Sequence, residues 1–507
     1  MKKSKKILIF VVSVFMFFGL LNVSAITTGS TTGTIDTGSK IVTDQASLIV
    51  RGVENGDRFN AYKVLDTYYN ATTNTITYQF TNDFQKFLSS SDAYRDLTVD
   101  KLYKYTSGNI SSGSTLSTSD IDKLASAYAG YVRKNSVGGT AMNVSANTAS
   151  AQLQAGSYLV LPTQTMKVYA VMFGNLDFTA NGDSWTINNE TITAKVSNAG
   201  VSKSVGEENM DNGSYSIGDD IPFIVKATVP QYPTNATNKT YVIKDTVTAG
   251  LTFNGVQSVI IHDGDETLVT ASNGNVTNSA REQVATIKIS GQTLTITFNV
   301  DYVNSTALTI NYSAKLNSNA GLGATGGNKN SVSLTYSNDP YGTGSYTTIP
   351  ADGDGEVDIY VYGLEIYKYG ESDDSGNVAL QNAEFTIYKD SSLKNKIATV
   401  TTNAKGIAQY KGLGAGTYYV KETKAPTGYV LDSTIHEIKI GPSGTLEPAD
   451  TEGYYRLEVS NQKAGLLPVT GSVGTILFVV LGLAIIGIAV YFFGFYKKNK
   501  KQEEQAI

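Results

Sequence analysis

Cysteine is absent from this chain of 507 residues, and histidine and tryptophan are scarce, with two copies and one copy. Without cysteine there is no disulfide and no thiol nucleophile, so a fold of this size, if exported, relies on another cross-link or on none. His262 and His436 stand alone, outside any cluster with metal-ligand spacing, and the chain has no Gly-x-Ser-x-Gly motif or phosphate-binding loop. These absences argue against an enzyme and predict no cofactor and no metal site.

Charge and proline are also low: 17% of the residues are charged and 10 are proline. The formal net charge of −5 is spread along the chain, which leaves no basic patch for nucleic acid or an anionic membrane surface. The chain is rich instead in Thr, Ser, Asn, Gly, Val and Tyr, a composition typical of short strands joined by Gly and Asn turns. We therefore predict an all-β fold of tandem β-sandwich domains.

The N-terminus has the order of a secretory signal peptide. Lysines at positions 2, 3, 5 and 6 precede an apolar run from Ile7 to Leu21, which is followed by the small residues of Val23-Ser24-Ala25. We predict cleavage after Ala25, so that the mature protein begins near Ile26.

The C-terminus combines a short motif, an apolar run and a basic tail. The run from Thr475 to Tyr496 is uncharged and long enough to cross a hydrocarbon core, which takes about 20 residues. Before it stands Leu467-Pro468-Val469-Thr470-Gly471, and after it stand Lys497, Lys498, Lys500 and Lys501. This order resembles the LPXTG cell-wall sorting signal of Gram-positive surface proteins. The resemblance implies that a sortase cysteine attacks the Thr470 carbonyl, releases Gly471 and passes the acyl group to an amine; an ordinary single-pass anchor is the alternative.

The interior is long enough for about three domains of ~150 residues each. Turn spacing and composition divide the chain into a signal peptide (1–25), a first domain (26–198), a middle domain (199–356), a third domain (357–463) and an anchor (464–507). Two helical patterns interrupt the first domain, and we predict the clearer one to begin at an N-cap, Ser119. Apolar residues at helical spacing follow it, at Ile121, Leu124, Ala125 and Tyr128.

The third domain contains the motif YYVKETKAPTGY, from Tyr418 to Tyr429. It resembles the E-box of Cna-B-type domains and departs from it only at Val420, where the family has leucine. Residues 363–368 (GLEIYK) and 459–461 (VSN) resemble that family's first and last strands. The resemblance implies an immunoglobulin-like sandwich in which Lys368 and Asn461 form an isopeptide bond with the help of Glu422.

Burial explains why such a reaction belongs in a core. A lysine amine attacks an amide only when it is neutral, and burial lowers its pKa. A buried, protonated carboxyl group can polarise the asparagine carbonyl and carry a proton to the departing ammonia. Ordinary exposed charges are the alternative interpretation of these residues.

The middle domain has a less specific trio. Its opening, VSKSV with SIGD, resembles a Cna-A-like pilin domain. The resemblance implies Lys203 as the amine, Asp245 as the catalytic acid and Asn330 as the acceptor, with Asn328 as the near alternative. Solvated charges on strand faces remain the other interpretation.

The first domain has a proline where the catalytic acid would be. Residues 156–163 (GSYLVLPT) align with residues 416–423 (GTYYVKET), so that Pro162 takes the position of Glu422. Proline has no proton to transfer. We predict that this domain lacks an isopeptide bond of this kind and is the least stable of the three.

A lysine that could accept the sortase product lies near the end of the first domain. Backbone pilins carry the motif Trp-x-x-x-Val-x-Val-Tyr-Pro-Lys at this place. Here the only tryptophan, Trp185, is followed at a spacing one residue longer by Lys195, and Thr193-Ala194 replaces Tyr-Pro. Lys195 is our candidate for the linkage to Thr470 of another subunit; a surface lysine without this role is the alternative.

These resemblances lead us to interpret the chain as the backbone pilin of a sortase-assembled pilus, anchored in the cell wall and supporting adhesion. The partners they imply are pilin-specific and housekeeping sortases, other copies of the chain in a head-to-tail polymer, minor pilins, peptidoglycan and a host surface ligand. A monomeric wall-anchored adhesin that binds host matrix is the alternative, and the absence of a polymer ladder in wall extracts would favour it.

Overall fold

The computed structural model describes residues 35, 37–106, 118–181, 184–233, 236–323, 325–342, 346–351, 355–372, 376–441, 448–449, 453–464 and 473–503. The predicted signal peptide and the Leu467–Gly471 motif lie outside the described residues. Strand is the main secondary structure of the described chain, as predicted, and we keep the names first, middle and third domain.

The first domain combines two main sheets and two short two-stranded sheets with three helices among its described residues. Its elements are β1 (Lys40–Ile41), β2 (Gln45–Arg51), β3 (Arg58–Asn70), β4 (Thr75–Phe80), α1 (Asn82–Ser90), α2 (Val99–Thr106), α3 (Thr118–Asn135), β5 (Thr140–Ala141), β6 (Asn143–Ser145), β7 (Thr148–Gln154), β8 (Gly156–Gln164), β9 (Val168–Tyr169), β10 (Met172–Leu176), β11 (Phe178–Asn181), β12 (Ser184–Ile187), β13 (Glu190–Thr193) and β14 (Val196–Ser197). One sheet runs β1-β3-β8-β10 and the other β13-β2-β7-β6. The two sheets form the predicted sandwich, and the helices add a second apolar core beside it.

Helix α3 has the predicted apolar face. Ile121, Leu124 and Tyr128 are all at most 2% exposed, because residues three and four apart share one side of a helix. The helix begins at Thr118, so that Ser119 lies inside its first turn and is not the N-cap that we predicted. The sequence also predicted two helices, whereas α1, α2 and α3 are all present.

The middle domain is a sandwich of two sheets. Its elements are β15 (Gly200–Val205), β16 (Asn212–Ser214), β17 (Asp220–Thr228), β18 (Tyr241–Val247), β19 (Leu251–Phe253), a 3-10 turn (Val256–Ser258), β20 (Ile260–Asp263), β21 (Glu266–Thr267), β22 (Val269–Thr270), β23 (Asn275–Thr277), β24 (Gln283–Ser290), β25 (Thr293–Phe298), a second 3-10 turn (Val300–Tyr302), β26 (Ala307–Leu316), β27 (Asn328–Tyr336), β28 (Thr347–Pro350) and β29 (Glu356–Tyr360). One sheet runs β15-β17-β26-β20-β21 and the other β16-β29-β27-β18-β25-β24-β23-β22. Alternating side chains of both sheets fill one core between them.

The third domain is a smaller sandwich. Its strands are β30 (Tyr362–Glu371), β31 (Asn377–Ala379), β32 (Glu384–Tyr388), β33 (Lys396–Thr401), β34 (Ile407–Leu413), β35 (Gly416–Lys424), β36 (Ile435–Ile440) and β37 (Tyr454–Asn461). One sheet contains β31, β30, β34 and β37, and the other runs β33-β32-β35-β36. The first strand, β30, and the last, β37, are parallel neighbours, which brings the two ends of the domain together.

The boundary between the middle and third domains differs from our prediction. We placed it after residue 356, at a glycine-rich stretch. Strand β29 nevertheless pairs with β27, and its Val357 and Ile359 are each 1% exposed within the middle domain's core. Strand β29 therefore belongs to the middle domain, and we propose that the boundary lies after it, near Val361.

A helix follows the third domain near the C-terminus. Helix α4 spans Val473–Glu503, and its segment Phe478–Lys498 is long and apolar enough to cross a membrane. Its side chains between Phe478 and Lys498 lie almost entirely exposed, unlike those of a core helix of the same composition. This exposure fits the predicted transmembrane anchor.

One side chain of the middle domain completes the core of the first. Tyr341 follows β27, yet its ring is 6% exposed among residues of the first domain's helical core. Its hydroxyl donates a hydrogen bond to Ser126 Oγ at 2.8 Å. Beside it, the Asp339 carboxylate accepts a hydrogen bond from Arg133 Nε at 2.8 Å. The two domains therefore share a packed, hydrogen-bonded junction.

We predict that Tyr341→Ala lowers the free energy of unfolding of the first domain by about 3–5 kcal/mol, as aromatic-to-alanine changes do in cores. The measurement is urea unfolding followed by the fluorescence of Trp185, the only tryptophan. Tyr346→Ala is the control, because Tyr346 is 58% exposed and its loss changes stability by about 0.5 kcal/mol or less. Equal losses in the two variants would contradict a shared core.

Candidate functional site

The three predicted residues of the third domain meet in its core. Lys368 lies on β30, Asn461 on β37 and Glu422 on β35 of the facing sheet, and they are 0%, 5% and 0% exposed. Lys368 Nζ donates a hydrogen bond to Asn461 Oδ1 and lies 3.3 Å from Glu422 Oε1. Asn461 Nδ2 lies 3.0 Å from each Glu422 oxygen. One carboxyl group therefore touches both the amine and the amide nitrogen.

The surroundings of this trio control its charge and position. Burial lowers the pKa of the Lys368 amine, and the nearby Glu422 opposes that shift. The Phe385 ring lies 5.5 Å from Nζ and keeps the amine in an apolar setting. Glu422 Oε2 accepts a hydrogen bond from the backbone N–H of Asp432 at 2.7 Å, and the Asp432 side chain in turn contacts His436 Nε2 at 2.8 Å. The acid is thus held against the amide by a loop that sequence reasoning missed.

The predicted trio of the middle domain also meets in a core, but across both sheets. Lys203 lies on β15 of one sheet, and Asp245 and Asn330 lie on the neighbouring strands β18 and β27 of the other. The side chains of Lys203 and Asp245 are 1% and 2% exposed, and Asn330 is 0% exposed. Asp245 lies on the inward face of β18, which is otherwise apolar.

Tyr312, a residue that sequence reasoning missed, joins these three side chains. Lys203 Nζ donates hydrogen bonds to Asp245 Oδ2 and to the Tyr312 hydroxyl. The Tyr312 hydroxyl donates to Asp245 Oδ2 at 2.5 Å and accepts from Asn330 Nδ2 at 3.0 Å. Asp245 Oδ1 and Asn330 Oδ1 are buried without a hydrogen-bond partner among the described residues. The signal in the sequence was weak, because a tyrosine on the buried face of β26 looks like any core aromatic.

Burial shifts the ionisable groups of this site towards their neutral forms. It lowers the pKa of Lys203 and raises that of Asp245, and the attraction between the two opposes both shifts. It also raises the pKa of Tyr312 well above its usual value, with the Asp245 charge adding to the effect. A neutral amine beside a neutral acid is the combination that an attack on an amide requires.

Asn328, the alternative acceptor, has a different environment from Asn330. Its Nδ2 donates to the carbonyls of Gly321 (2.8 Å) and Ile359 (3.1 Å), and its Oδ1 accepts from the Gly321 backbone N–H (2.8 Å). These contacts tie a loop to the end of β27. Asn330 lies two residues further along the same strand. Its side chain contacts the Tyr312 hydroxyl, which also binds Lys203.

In the first domain, the position aligned with Glu422 is part of a different contact. Pro162 is buried on β8, and its carbonyl accepts a hydrogen bond from Arg133, the residue that pairs with Asp339 of the middle domain. On the adjacent strand β3, Lys63 contacts Asp66 at 2.9 Å and Gln154 at 3.5 Å. This pairing differs from the lysine–asparagine pairs of the other two domains.

Lys195 lies between β13 and β14 at the end of the first domain and is exposed. Its backbone carbonyl accepts a hydrogen bond from the Ala170 N–H at 2.9 Å, which fixes the main chain there. It borders a cleft of about 180 Å³ whose wall includes Ile121, Phe173 and Ile192. The cleft also has polar walls, at Thr106, Asp122 and Thr193. Lys195 is exposed, whereas Lys203 and Lys368 end in buried cores.

The two histidines have ordinary polar contacts. His262 Nδ1 lies 3.0 Å from the Thr267 hydroxyl, and His436 contacts Asp432. Within the described part of the chain, no group of three or more His, Cys, Asp or Glu residues is arranged to hold a metal ion.

Three family models match consecutive parts of the chain. The model for the Gram-positive pilin backbone subunit 2, Cna-B-like domain, matches residues 217–340; the model for a prealbumin-like fold domain matches residues 364–452; and the LPXTG cell wall anchor motif matches residues 459–504. The middle domain, which we had compared with Cna-A-like domains, is thus matched by a Cna-B-like description.

The relatives of this chain include two curated fimbrial or surface proteins and a solved backbone pilin. The trypsin-resistant surface T6 protein of Streptococcus pyogenes serotype M6 is 29% identical over 279 residues, which is 52% of this chain and 50% of that protein. The chain therefore aligns with only half the length of that relative. The fimbrial subunit type 2 of Actinomyces naeslundii is 25% identical over 70% of this chain and 72% of that protein. The solved T6 backbone pilin has the same fold, with a TM-score of 0.64 and 20% identity over 83% of this chain and 99% of that structure.

The two asparagines of β27 give a direct prediction. If Asn330 is the acceptor, Asn330→Ala in the polypeptide 26–463 restores the mass of one ammonia, because the Lys203 amine then has no amide to displace. Asn328→Ala keeps the mass of the unsubstituted protein but lowers its stability by about 1–3 kcal/mol, because it leaves buried backbone groups unpaired. Intact-mass spectrometry and urea unfolding measure the two effects. The reverse pattern of masses would assign the acceptor to Asn328.

Proposed function

We propose that this chain, a homologue of the Gram-positive backbone pilins that carries an LPXTG cell wall anchor, is the structural backbone subunit of a covalent cell-surface pilus. The main support for the proposal is that one chain has both a cell wall anchor motif and extended similarity to a fimbrial subunit. The anchor motif matches its C-terminus, and a fimbrial subunit aligns with 70% of its length. The chain is a structural protein and a substrate of sortases, and it is not an enzyme acting on other molecules.

The polymer forms through the two ends of the folded region. A pilin-specific sortase cleaves after Thr470, and the new carboxyl group joins Lys195 of another subunit. Each subunit then offers one acyl donor and one amine, so the contacts are head-to-tail and the assembly stays open. Minor pilins and peptidoglycan take part through the same chemistry, the latter through a housekeeping sortase. The exposure of Lys195 supports its role as the amine.

Two internal isopeptide bonds reinforce each subunit: Lys368–Asn461, assisted by Glu422, and Lys203–Asn330, assisted by Asp245. The burial and mutual contacts of these residues support both bonds. Lys368 and Asn461 are 93 residues apart, and a cross-link closing a loop of that size stabilises a fold by about 4–5 kcal/mol on the chain-entropy model. Tension on a fibre of such subunits is then carried by covalent bonds in the middle and third domains.

We predict that Lys195→Arg abolishes the ladder of polymers in cell-wall extracts while monomer stays wall-anchored. Arginine keeps the charge but is not a nucleophile at neutral pH, because its pKa lies above 12. Thr470→Ala removes both polymer and anchoring. Lys86→Arg is the matched control, because Lys86 is an exposed lysine of the same domain, and its ladder should equal the wild type.

Gel electrophoresis and immunoblotting of wall digests measure these outcomes. A ladder that persists in Lys195→Arg would assign the amine to another lysine. Wild-type extracts that hold monomer alone would reject the pilus and favour the monomeric adhesin.

The internal bonds have a separate prediction. The polypeptide 26–463 should lack the mass of two ammonia molecules, and Glu422→Ala and Asp245→Ala should each restore one, because each variant removes the acid that one bond needs. The Glu422→Ala protein should also lose about 4–5 kcal/mol of third-domain stability in urea. If the wild-type polypeptide has the full mass of its sequence, neither bond forms. The polymer proposal then depends only on Thr470 and Lys195.

A further inference from the structure

The proposed catalytic acids, Glu422 of the third domain and Asp245 of the middle domain, contact their lysine and asparagine partners differently. In the third domain, Glu422 touches the amine of Lys368 at 3.3 Å and the amide nitrogen of Asn461 at 3.0 Å. One carboxyl group can therefore take a proton from the nucleophile and deliver it to the leaving group. The middle domain has an aspartate, whose side chain is one methylene shorter. Asp245 bonds to Lys203 Nζ. Burial raises the Asp245 pKa and its interaction with the Asn330 side chain lowers it, but the close hydrogen bond of Asn330 Nδ2, at 3.0 Å, goes to the Tyr312 hydroxyl.

We propose that Tyr312 is a catalytic residue of the middle domain that relays a proton from Asp245 to the departing amide nitrogen of Asn330. This inference rests on the Lys203–Asn330 bond proposed above. The contacts form an unbroken path from nucleophile to leaving group: Lys203 Nζ, Asp245 Oδ2, the Tyr312 hydroxyl and Asn330 Nδ2.

The atoms balance along this path. The neutral amine of Lys203 attacks Cγ of Asn330 and forms the new C–N bond, and the neutral Asp245 carboxyl group takes a proton from Nζ as it gives up its own proton to Tyr312. The former amide nitrogen becomes tetrahedral and gains a free lone pair. It takes the hydroxyl proton of Tyr312, the old C–N bond breaks, and ammonia departs. Tyr312 regains its proton from Asp245, so that only an amide bond and one ammonia are formed.

The surroundings of Tyr312 suit a relay. The side chain is buried, and burial with the Asp245 charge raises its pKa, so the hydroxyl holds its proton until the leaving group takes it. Its ring stacks against Phe223 at a centroid distance of 5.4 Å, which fixes the direction of the hydroxyl. The Lys203 Nζ lies 5.0 Å from the Tyr312 ring and 5.1 Å from the Phe223 ring, so the same pair confines the amine.

The test follows bond formation with time in the full chain. The chain is made by cell-free translation with detergent, synthesis is stopped, and samples are digested at intervals for mass spectrometry. The cross-linked Lys203–Asn330 peptide is counted against its linear forms, and the Lys368–Asn461 peptide of the same molecules is the internal reference. Tyr312→Phe keeps the ring and removes one oxygen. Tyr241→Phe is the matched control, because its buried hydroxyl donates to the Thr228 carbonyl, away from the trio.

We expect Tyr312→Phe to slow the Lys203–Asn330 bond by about 10²- to 10⁴-fold, the usual loss when a general acid–base group is removed. Tyr241→Phe should react at the wild-type rate, and the Lys368–Asn461 bond should form equally fast in all variants. Asp245→Glu added to Tyr312→Phe should restore at least about 10-fold of the rate, because the longer acid reaches the amide directly, as Glu422 does in the third domain.

Three outcomes contradict the proposal. A wild-type rate in Tyr312→Phe shows that no relay is needed. A slow rate that Asp245→Glu does not restore assigns Tyr312 a packing role. If the wild type itself never forms the Lys203–Asn330 peptide, the bond proposed above fails, and the relay fails with it.

Discussion

Exclusion of water from two lysine amines is the constraint on which the middle and third domains depend. Lys368 and Lys203 each end in a core, beside an acid and an asparagine, with aromatic rings about 5 Å from the nitrogen. A charged amine is costly there, and burial lowers the pKa of both. The same burial that would destabilise an unreacted lysine makes it a nucleophile. In the proposed bonds, conversion to an amide would remove the charge and leave a covalent link in its place.

The two cores reach this condition with different geometry. In the third domain, the amine and the amide lie on parallel neighbouring strands, and the acid comes from the facing sheet. In the middle domain, amine and amide lie on opposite sheets, so a bond between them would fasten the sandwich across its core. In the middle domain, the Tyr312 hydroxyl contacts both the Asp245 carboxyl group and the Asn330 amide nitrogen.

Continuity along the chain depends on the junctions as much as on the cores. Tyr341 joins the middle domain to the helices of the first. At the other end, the backbone N–H of Ile217 donates to the Gly412 carbonyl at 3.0 Å, and Ser214 Oγ accepts from the Ala415 N–H at 2.7 Å. Gly412 has a φ of +108°, and a Cβ there would lie 2.8 Å from the Ile217 side chain, so glycine permits this close approach. Both junctions of the middle domain are therefore joined by close packing and hydrogen bonds.

The sequence by itself determined the features that are local in the chain. Signal-peptide order, the anchor motif with its apolar run, the alternating strands and the E-box need only neighbouring residues to be read, and Lys368, Glu422 and Asn461 followed from motifs of that kind. The start of α3 and the place of β29 differ from the predictions, because the helix begins one residue before Ser119 and β29 pairs with β27 of the middle domain. Tertiary structure alone decided that the Tyr312 hydroxyl contacts Lys203, Asp245 and Asn330, whereas Asn328 binds the Gly321 backbone. It also decided that Tyr341 enters another domain's core. Each of these depends on side chains that are far apart in sequence, and a tyrosine or asparagine on a buried strand face carries no local mark of the partner that it will meet.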